Sequence, residues 1–306
     1  MRIRLLAALA CSLLAPAAMA EPFDAAELRA AATRAADLVF PTEATAPSAF
    51  DSPHMMMYKP EGAGPFPALV LVHQCGGLTG KHPNLSMVEW AKAAVAHGYV
   101  ALVIDSLGPR GVDQVCYGPK NDVTFARGVR DAFQAADHLR AQPFVDKDRV
   151  AVAGWSWGAM IGLLASSHHW ADALGEGRRF NAAVSMYPGC FKIRQFGSQG
   201  PNAPTTDIAR DDIDRPLLVL MGGEDTETPA RDCQDRLEPA KAAGAPIETH
   251  FYADATHCWD CRQLDGFRKV DVRGHNVQYR YDAEITADSQ ARMFDFLDRR
   301  MKAGAR

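Results

Sequence analysis

Short apolar runs, each bounded by turn residues, recur along the chain at 68–72, 100–104, 150–153, 182–186 and 217–221, with a more polar run at 247–252. Residues that are apolar at consecutive rather than alternate positions predict strands buried on both faces, as in a parallel sheet. Helical patterns lie between them. The stretch 124–141 sets Phe125, Val129, Phe133, Ala136 and Leu139 at spacings of three and four, the stripe of a helix packed on one side. The stretches 87–97 (ahead of Gly98), 157–166, 230–243 and 287–301 complete the helical set. Strand and helix alternating in this way predict right-handed crossovers and an α/β fold, a mostly parallel sheet covered by helices on both faces.

The segments outside this alternation set the organisation. Residues 1–20 carry Arg2 and Arg4, then an apolar stretch, then Ala18-Met19-Ala20. That order predicts a secretory signal peptide cleaved after Ala20 and a secreted or periplasmic protein. The apolar stretch is too short for a spanning helix and no later one approaches the ~20 residues required, so no membrane insertion is expected. Residues 21–39 are alanine-rich with scattered charges and predict a surface helix. Residues 40–53, with Pro41, Pro47 and Pro53, read as an irregular linker, and 54–306 as the main domain. Two polar stretches, 191–214 and 261–285, read as excursions.

The formal net charge is −4, and loss of Arg2 and Arg4 with the leader makes it more negative. Acids and bases are interspersed, with no basic run, which argues against nucleic acid or an anionic membrane as partner. Oligomeric state is not legible.

The strongest chemical signal is Gly154-Trp155-Ser156-Trp157-Gly158. An apolar strand pattern feeds it and an apolar helix pattern leaves it. That context is a nucleophile elbow, in which a tight turn lifts the serine hydroxyl above the sheet. A hydroxyl needs a base to take its proton. In the α/β-hydrolase fold the chain order is serine, acid, histidine. This selects His257, in the loop after the last strand pattern, with His275 as fallback. The acid should follow the 217–221 strand, where Asp225 is preferred over Glu224. Acyl transfer also needs donors for the developing oxyanion. The backbone amides of Trp157 and of Cys75 are chosen, Gln74 being the alternative to Cys75 in the loop His73-Gln74-Cys75-Gly76-Gly77.

Together these motifs, with Asp105-Ser-Leu-Gly-Pro-Arg-Gly111, Tyr187-Pro-Gly-Cys190 and Gly223-Glu-Asp225 ahead of Pro229, resemble the dienelactone hydrolase family from about residue 54 to 297. The resemblance implies a triad of Ser156, Asp225 and His257 and an oxyanion held by the backbones of Cys75 and Trp157. The chain departs from the family pattern at three places. Ser156 stands where dienelactone hydrolases proper have cysteine, and Gln74 where they have glutamate. The arginine that follows their histidine and grips substrate carboxylate falls here near Cys261, with Arg262 only a neighbour.

Six cysteines follow the leader, an even number that reads as disulfides in an exported protein. Cys75 and Cys116 sit in loops after neighbouring strands and are expected to pair. Cys190 and Cys233 follow successive strands and make a second pair. Cys258 and Cys261 form a third, beside the expected base, and no metal is expected there. Gln74, Arg110, Trp155 and Trp259 are taken as pocket residues. The reading is a secreted serine hydrolase acting on a small-molecule carboxylic ester, lactone or thioester, without cofactor. A peptidase or amidase on the same triad, and a non-catalytic ligand-binding protein of the same fold, are the alternatives.

Overall fold

The computed structural model describes residues 23–46, 53–194, 202–203 and 205–301. The expected signal peptide and its cleavage site lie outside the described residues, as do 47–52 of the expected linker. The strands are β1 (Ala44–Thr45), β2 (Met56–Tyr58), β3 (Phe66–Val72), β4 (Val100–Ile104), β5 (Val145–Trp155), β6 (Ala183–Met186), β7 (Lys192–Arg194), β8 (Thr205–Asp207), β9 (Leu217–Gly222), β10 (Ile247–Tyr252), β11 (Arg268–Val270) and β12 (Asn276–Gln278). The helices are α1 (Ala25–Ala32), α2 (Leu85–Ala96), α3 (Phe125–Arg140), α4 (Trp157–Ser166), α5 (His168–Leu174), α6 (Ala230–Ala242) and α7 (Ala283–Met301).

Eight strands form one sheet in the order β1-β2-β4-β3-β5-β6-β9-β10. Only the β2–β4 pair is antiparallel. The apolar runs explain why. In β3, Ala68, Val70 and Val72 enter one core while Leu69 and Leu71 enter the other, and β4 divides in the same way. A strand with two covered faces needs apolar residues at every position. One face is covered by α3, α4 and α6 through Val129, Phe133, Ile161, Leu164 and Leu237. The other is covered by α2 and α7 through Met87, Trp90, Phe294 and Leu297.

The N-terminal segment differs from its expectation as a surface helix. Its helix α1 buries Leu28, Ala31 and Ala32 in the core. Phe23, wholly buried, packs on Trp170 of α5 with ring centroids 6.1 Å apart. Small alanines let the helix approach closely, and Glu27 and Arg29 do not interrupt the buried face. Arg127 of α3 clamps the chain where it leaves α1. Its Nη1 donates to the carbonyls of Ala32 and Ala35 (2.7 and 3.3 Å) and pairs with Asp37 at 2.8 Å. Part of the expected linker is also ordered as β1, added in parallel to β2 at the sheet edge. The two polar excursions contain hairpins, β7–β8 and β11–β12.

Candidate active site

Ser156 sits between the end of β5 and the start of α4 with φ 52° and ψ −110°. Left-handed φ at a non-glycine residue is a strained conformation that persists only where the surroundings impose it. They do so here through two crossings. A Cβ on Gly158 would lie 2.1 Å from the Val72 carbonyl oxygen, and one on Gly154 would lie 2.0 Å from that of Gly158. The glycines of the motif are thus required by backbone contact within the elbow and between it and the end of β3. The Ser156 amide donates to the Met186 carbonyl at 2.9 Å, tying the turn to β6.

His257 comes from the loop after β10. Its Nε2 lies 2.9 Å from Ser156 Oγ and its Nδ1 lies 2.7 Å from Asp225 Oδ2. A carboxylate only accepts, so Nδ1 carries the proton and Nε2 presents a lone pair to the serine. Asp225 is fixed in the turn after β9. Its Oδ1 accepts from the amides of Glu227 and Thr228 at 2.9 and 2.8 Å. The Thr228 hydroxyl donates to Asp225 Oδ2 at 2.7 Å and stands 3.0 Å from His257 Nδ1. Ser156, Asp225 and His257 are all buried. This is the chain of hydrogen bonds through which a hydroxyl can lose its proton as it attacks.

A second carboxylate faces the same imidazole. Glu227 Oε2 is 3.8 Å from His257 Nε2, and Glu227 is itself held by Lys269 Nζ (2.7 Å) and the Tyr279 hydroxyl (2.8 Å). Burial alone would depress the His257 imidazole, but Asp225 and Glu227 outweigh it and raise its pKa above the ordinary value. Burial pushes the Glu227 carboxyl up, and the His257 and Lys269 charges with the Tyr279 hydrogen bond bring it below the usual range.

The loop after β3 carries the expected oxyanion donor. Cys75 is bonded to Cys116, with Cα atoms 4.9 Å apart, and its carbonyl accepts from the Val115 amide at 2.8 Å. His73 stacks on Trp157 at 5.7 Å, with Nδ1 2.6 Å from the Gln74 carbonyl and Nε2 accepting from the Ser106 amide at 3.1 Å. Its burial lowers its pKa, so it is a neutral structural ring. These contacts fix the loop on both sides of Cys75.

Cys190 is bonded to Cys233 and Cys258 to Cys261. The last of these lies under the site. Gln74 Nε2 reaches Cys261 Sγ at 3.5 Å and the Tyr187 hydroxyl at 3.2 Å, while Asn84 Nδ2 donates to Gln74 Oε1. Asp260, between the two cysteines, accepts from Tyr187 and from Trp90 Nε1, each at 2.7 Å. Burial raises its pKa.

Of the four expected pocket residues, Gln74 lines a cavity that opens on Ser156, and Arg110, Trp155 and Trp259 line neither of the two cavities that do. Arg110 is committed to Asp131 through two bonds of 2.7 and 2.8 Å and to the carbonyls of Ala36 and Ser106. Trp155 is wholly buried against Trp90, and Trp259 is wholly buried edge-on to Tyr187. A residue beside a buried strand end packs into the core before it can reach an opening. Thr228, Glu227, Lys269 and Tyr279 are the site residues that sequence reasoning missed. Thr228 had a signal, the Asp-x-x-Thr spacing of a side-chain-capped turn. Lys269 and Tyr279 belong to an excursion whose path had none.

Two cavities meet at Ser156. One of about 460 Å³ is lined by Ser156, His257, Gln74 and the β11–β12 hairpin side. The other, of about 780 Å³, is lined by Ser156, Trp157 and residues of the α3, α4 and β7 region.

This sheet, elbow and histidine loop define an α/β-hydrolase. The model of the dienelactone hydrolase family matches residues 54–301, and the chain belongs to that family. A Yersinia pestis protein that carries the name carboxymethylenebutenolidase is 25% identical over 264 residues, covering 83% of this chain and 86% of its own. In three dimensions, a Klebsiella pneumoniae protein described as a dienelactone hydrolase has a TM-score of 0.56 at 19% identity, over 79% of this chain and 90% of its own. Thermogutta terrifontis esterase 2 with propionate bound has the same score of 0.56 at 17% identity, over 80% and 88%. These likenesses establish the fold. The chain is a hydrolase of the dienelactone hydrolase type.

Proposed function

We propose that the protein is an exported serine hydrolase that cleaves a carboxylic ester, lactone or thioester through an acyl-enzyme. The observation that carries this reading is the 2.9 Å approach of His257 Nε2 to Ser156 Oγ, backed by Asp225 at 2.7 Å. His257 takes the Ser156 proton as Oγ bonds to the substrate carbonyl carbon. The amides of Cys75 and Trp157 stabilise the resulting oxyanion. As the bond to the leaving oxygen or sulfur breaks, His257 returns that proton to it. Water, deprotonated by His257, then attacks the acyl carbon, and the proton passes back to Ser156 as the acid departs.

Export is supported by the Arg2/Arg4, apolar and Ala18-Met19-Ala20 pattern and by three disulfides. No helix among the described residues is long and apolar enough to cross a membrane. Steady-state hydrolysis of a panel of activated esters tests the activity. Ser156→Ala and His257→Ala should each reduce kcat by about 10⁴-fold or more. Variants retaining wild-type turnover would refute the assignment.

A further inference from the structure

Hydrolysis of an acyl-enzyme needs a water set against the acyl carbon beside His257 Nε2, the nitrogen that meets Ser156 Oγ. A water has two hydrogens, and the imidazole accepts only one of them. Asp225 is committed to Nδ1, to the Thr228 hydroxyl and to the amides of Glu227 and Thr228, so it does not serve the second. Glu227 can. It lines the larger cavity together with Ser156, and its Oε2 stands 3.8 Å from Nε2. That gap lets one water oxygen donate to both atoms at ordinary hydrogen-bond lengths. The Tyr279 hydroxyl uses one lone pair of Oε2 and Lys269 occupies Oε1, which fixes the carboxylate and leaves Oε2 a second lone pair.

We infer that Glu227 is the positioning residue of the second half-reaction, holding the hydrolytic water between its own Oε2 and His257 Nε2. The inference rests on the acyl-enzyme proposed above and gives this carboxylate a part in it beyond its charge. As the water oxygen bonds to the acyl carbon, one proton passes to Nε2. The other stays on that oxygen, hydrogen-bonded to Glu227, and leaves with the acid. Nε2 then gives its proton to Ser156 Oγ as the bond from Oγ to the acyl carbon breaks. Acylation uses no water, so there Glu227 acts on the imidazole through charge alone. A small alcohol in place of water separates the two roles. Methanol has a single hydroxyl hydrogen, which goes to Nε2, so it gains nothing from Glu227. Its acidity is close to that of water, so a change in the strength of the base acts on both nucleophiles alike.

The test is the initial product ratio, methyl butyrate to butyrate, when p-nitrophenyl butyrate is turned over in dilute methanol. The ratio is set after the acyl-enzyme forms, so it does not depend on which step limits turnover. Glu227→Met removes the acceptor and should raise the ratio by about tenfold or more, the worth of a hydrogen bond to a charged group. Glu227→Asp keeps the charge and draws the carboxylate back by one methylene. It should raise the ratio too, and it serves if the methionine variant misfolds. A ratio unchanged in folded variants, zero included and even with both products formed more slowly, overturns the water placement and leaves the acyl-enzyme intact. Folded wild-type protein that takes no fluorophosphonate on Ser156 overturns the acyl-enzyme and this inference with it.

Discussion

Glu227 Oε2 stands 3.8 Å from His257 Nε2, the ring nitrogen that also meets Ser156. The imidazole therefore has a carboxylate at each nitrogen, Asp225 in direct hydrogen bond and Glu227 across a gap. Lys269 holds Glu227, Tyr187 and Tyr279 pack on the ring, and the buried Asp260, bonded to the Tyr187 hydroxyl, is near enough to feel its charge. A general base acts only when neutral. The acidic limb of kcat/KM should therefore fall above the ordinary histidine value, following the raised His257 pKa. Glu227→Gln removes a negative neighbour and should move that limb to lower pH. Lys269→Met removes a positive one and should move it higher. Shifts of the same sign in both variants, measured from pH 5 to 9, would exclude this electrostatic role.

Asp225→Asn keeps an oxygen within reach of Thr228 but loses the charge that stabilises the imidazolium and can leave Nδ1 unprotonated. A fall in kcat of about 10⁴-fold is expected, with the thermal midpoint little changed. Thr228→Val removes one donor to Asp225 and should cost far less, about tenfold. Steady-state kinetics of the two variants checks the order, and an equal loss in both would contradict it.

The Cys258–Cys261 bond closes the loop that begins at His257, and Gln74 and Asp260 pack against it. Replacing both cysteines by alanine should loosen the imidazole and lower kcat by about ten- to a hundredfold while the chain stays folded. Turnover equal to wild type, with near-ultraviolet circular dichroism unchanged, would show that the bridge does not position the base.

Arg127 is wholly buried and bonds to Asp131 at 2.7 Å as well as to the N-terminal carbonyls. Arg127→Met leaves a buried carboxylate with one fewer partner and unpins α1, so about 3–5 kcal/mol of stability should be lost. A drop in Tm of about 10 °C is expected by calorimetry. A drop under about 2 °C would mean that Arg110 alone satisfies Asp131.

The parts of the fold legible in the sequence were those governed by local pattern. β3, β4 and β9 were readable because strands covered on both faces need unbroken apolar runs, and α4 because it continues such a run past glycine. The serine–acid–histidine order placed Ser156, Asp225 and His257 on three separate loops that the sheet brings together. What was not legible depends on contacts made across the chain. Alanine-rich α1 looks like a surface helix until Arg127, about a hundred residues on, captures its end. Trp155 lies beside Ser156 and Trp259 close to His257 in sequence, yet both turn into the core. Lys269 and Tyr279 reach the site only through the β11–β12 hairpin, whose three-residue strands carry too little pattern to predict.

The central claim is that Ser156 is an activated nucleophile, and active-site labelling tests it most directly. The oxidised protein is treated with a fluorophosphonate and the modified residue is mapped by mass spectrometry. Stoichiometric modification of Ser156 is expected, abolished in Ser156→Ala and markedly slowed in His257→Ala. A folded, disulfide-intact protein that takes no label, or takes it on another residue, would contradict it.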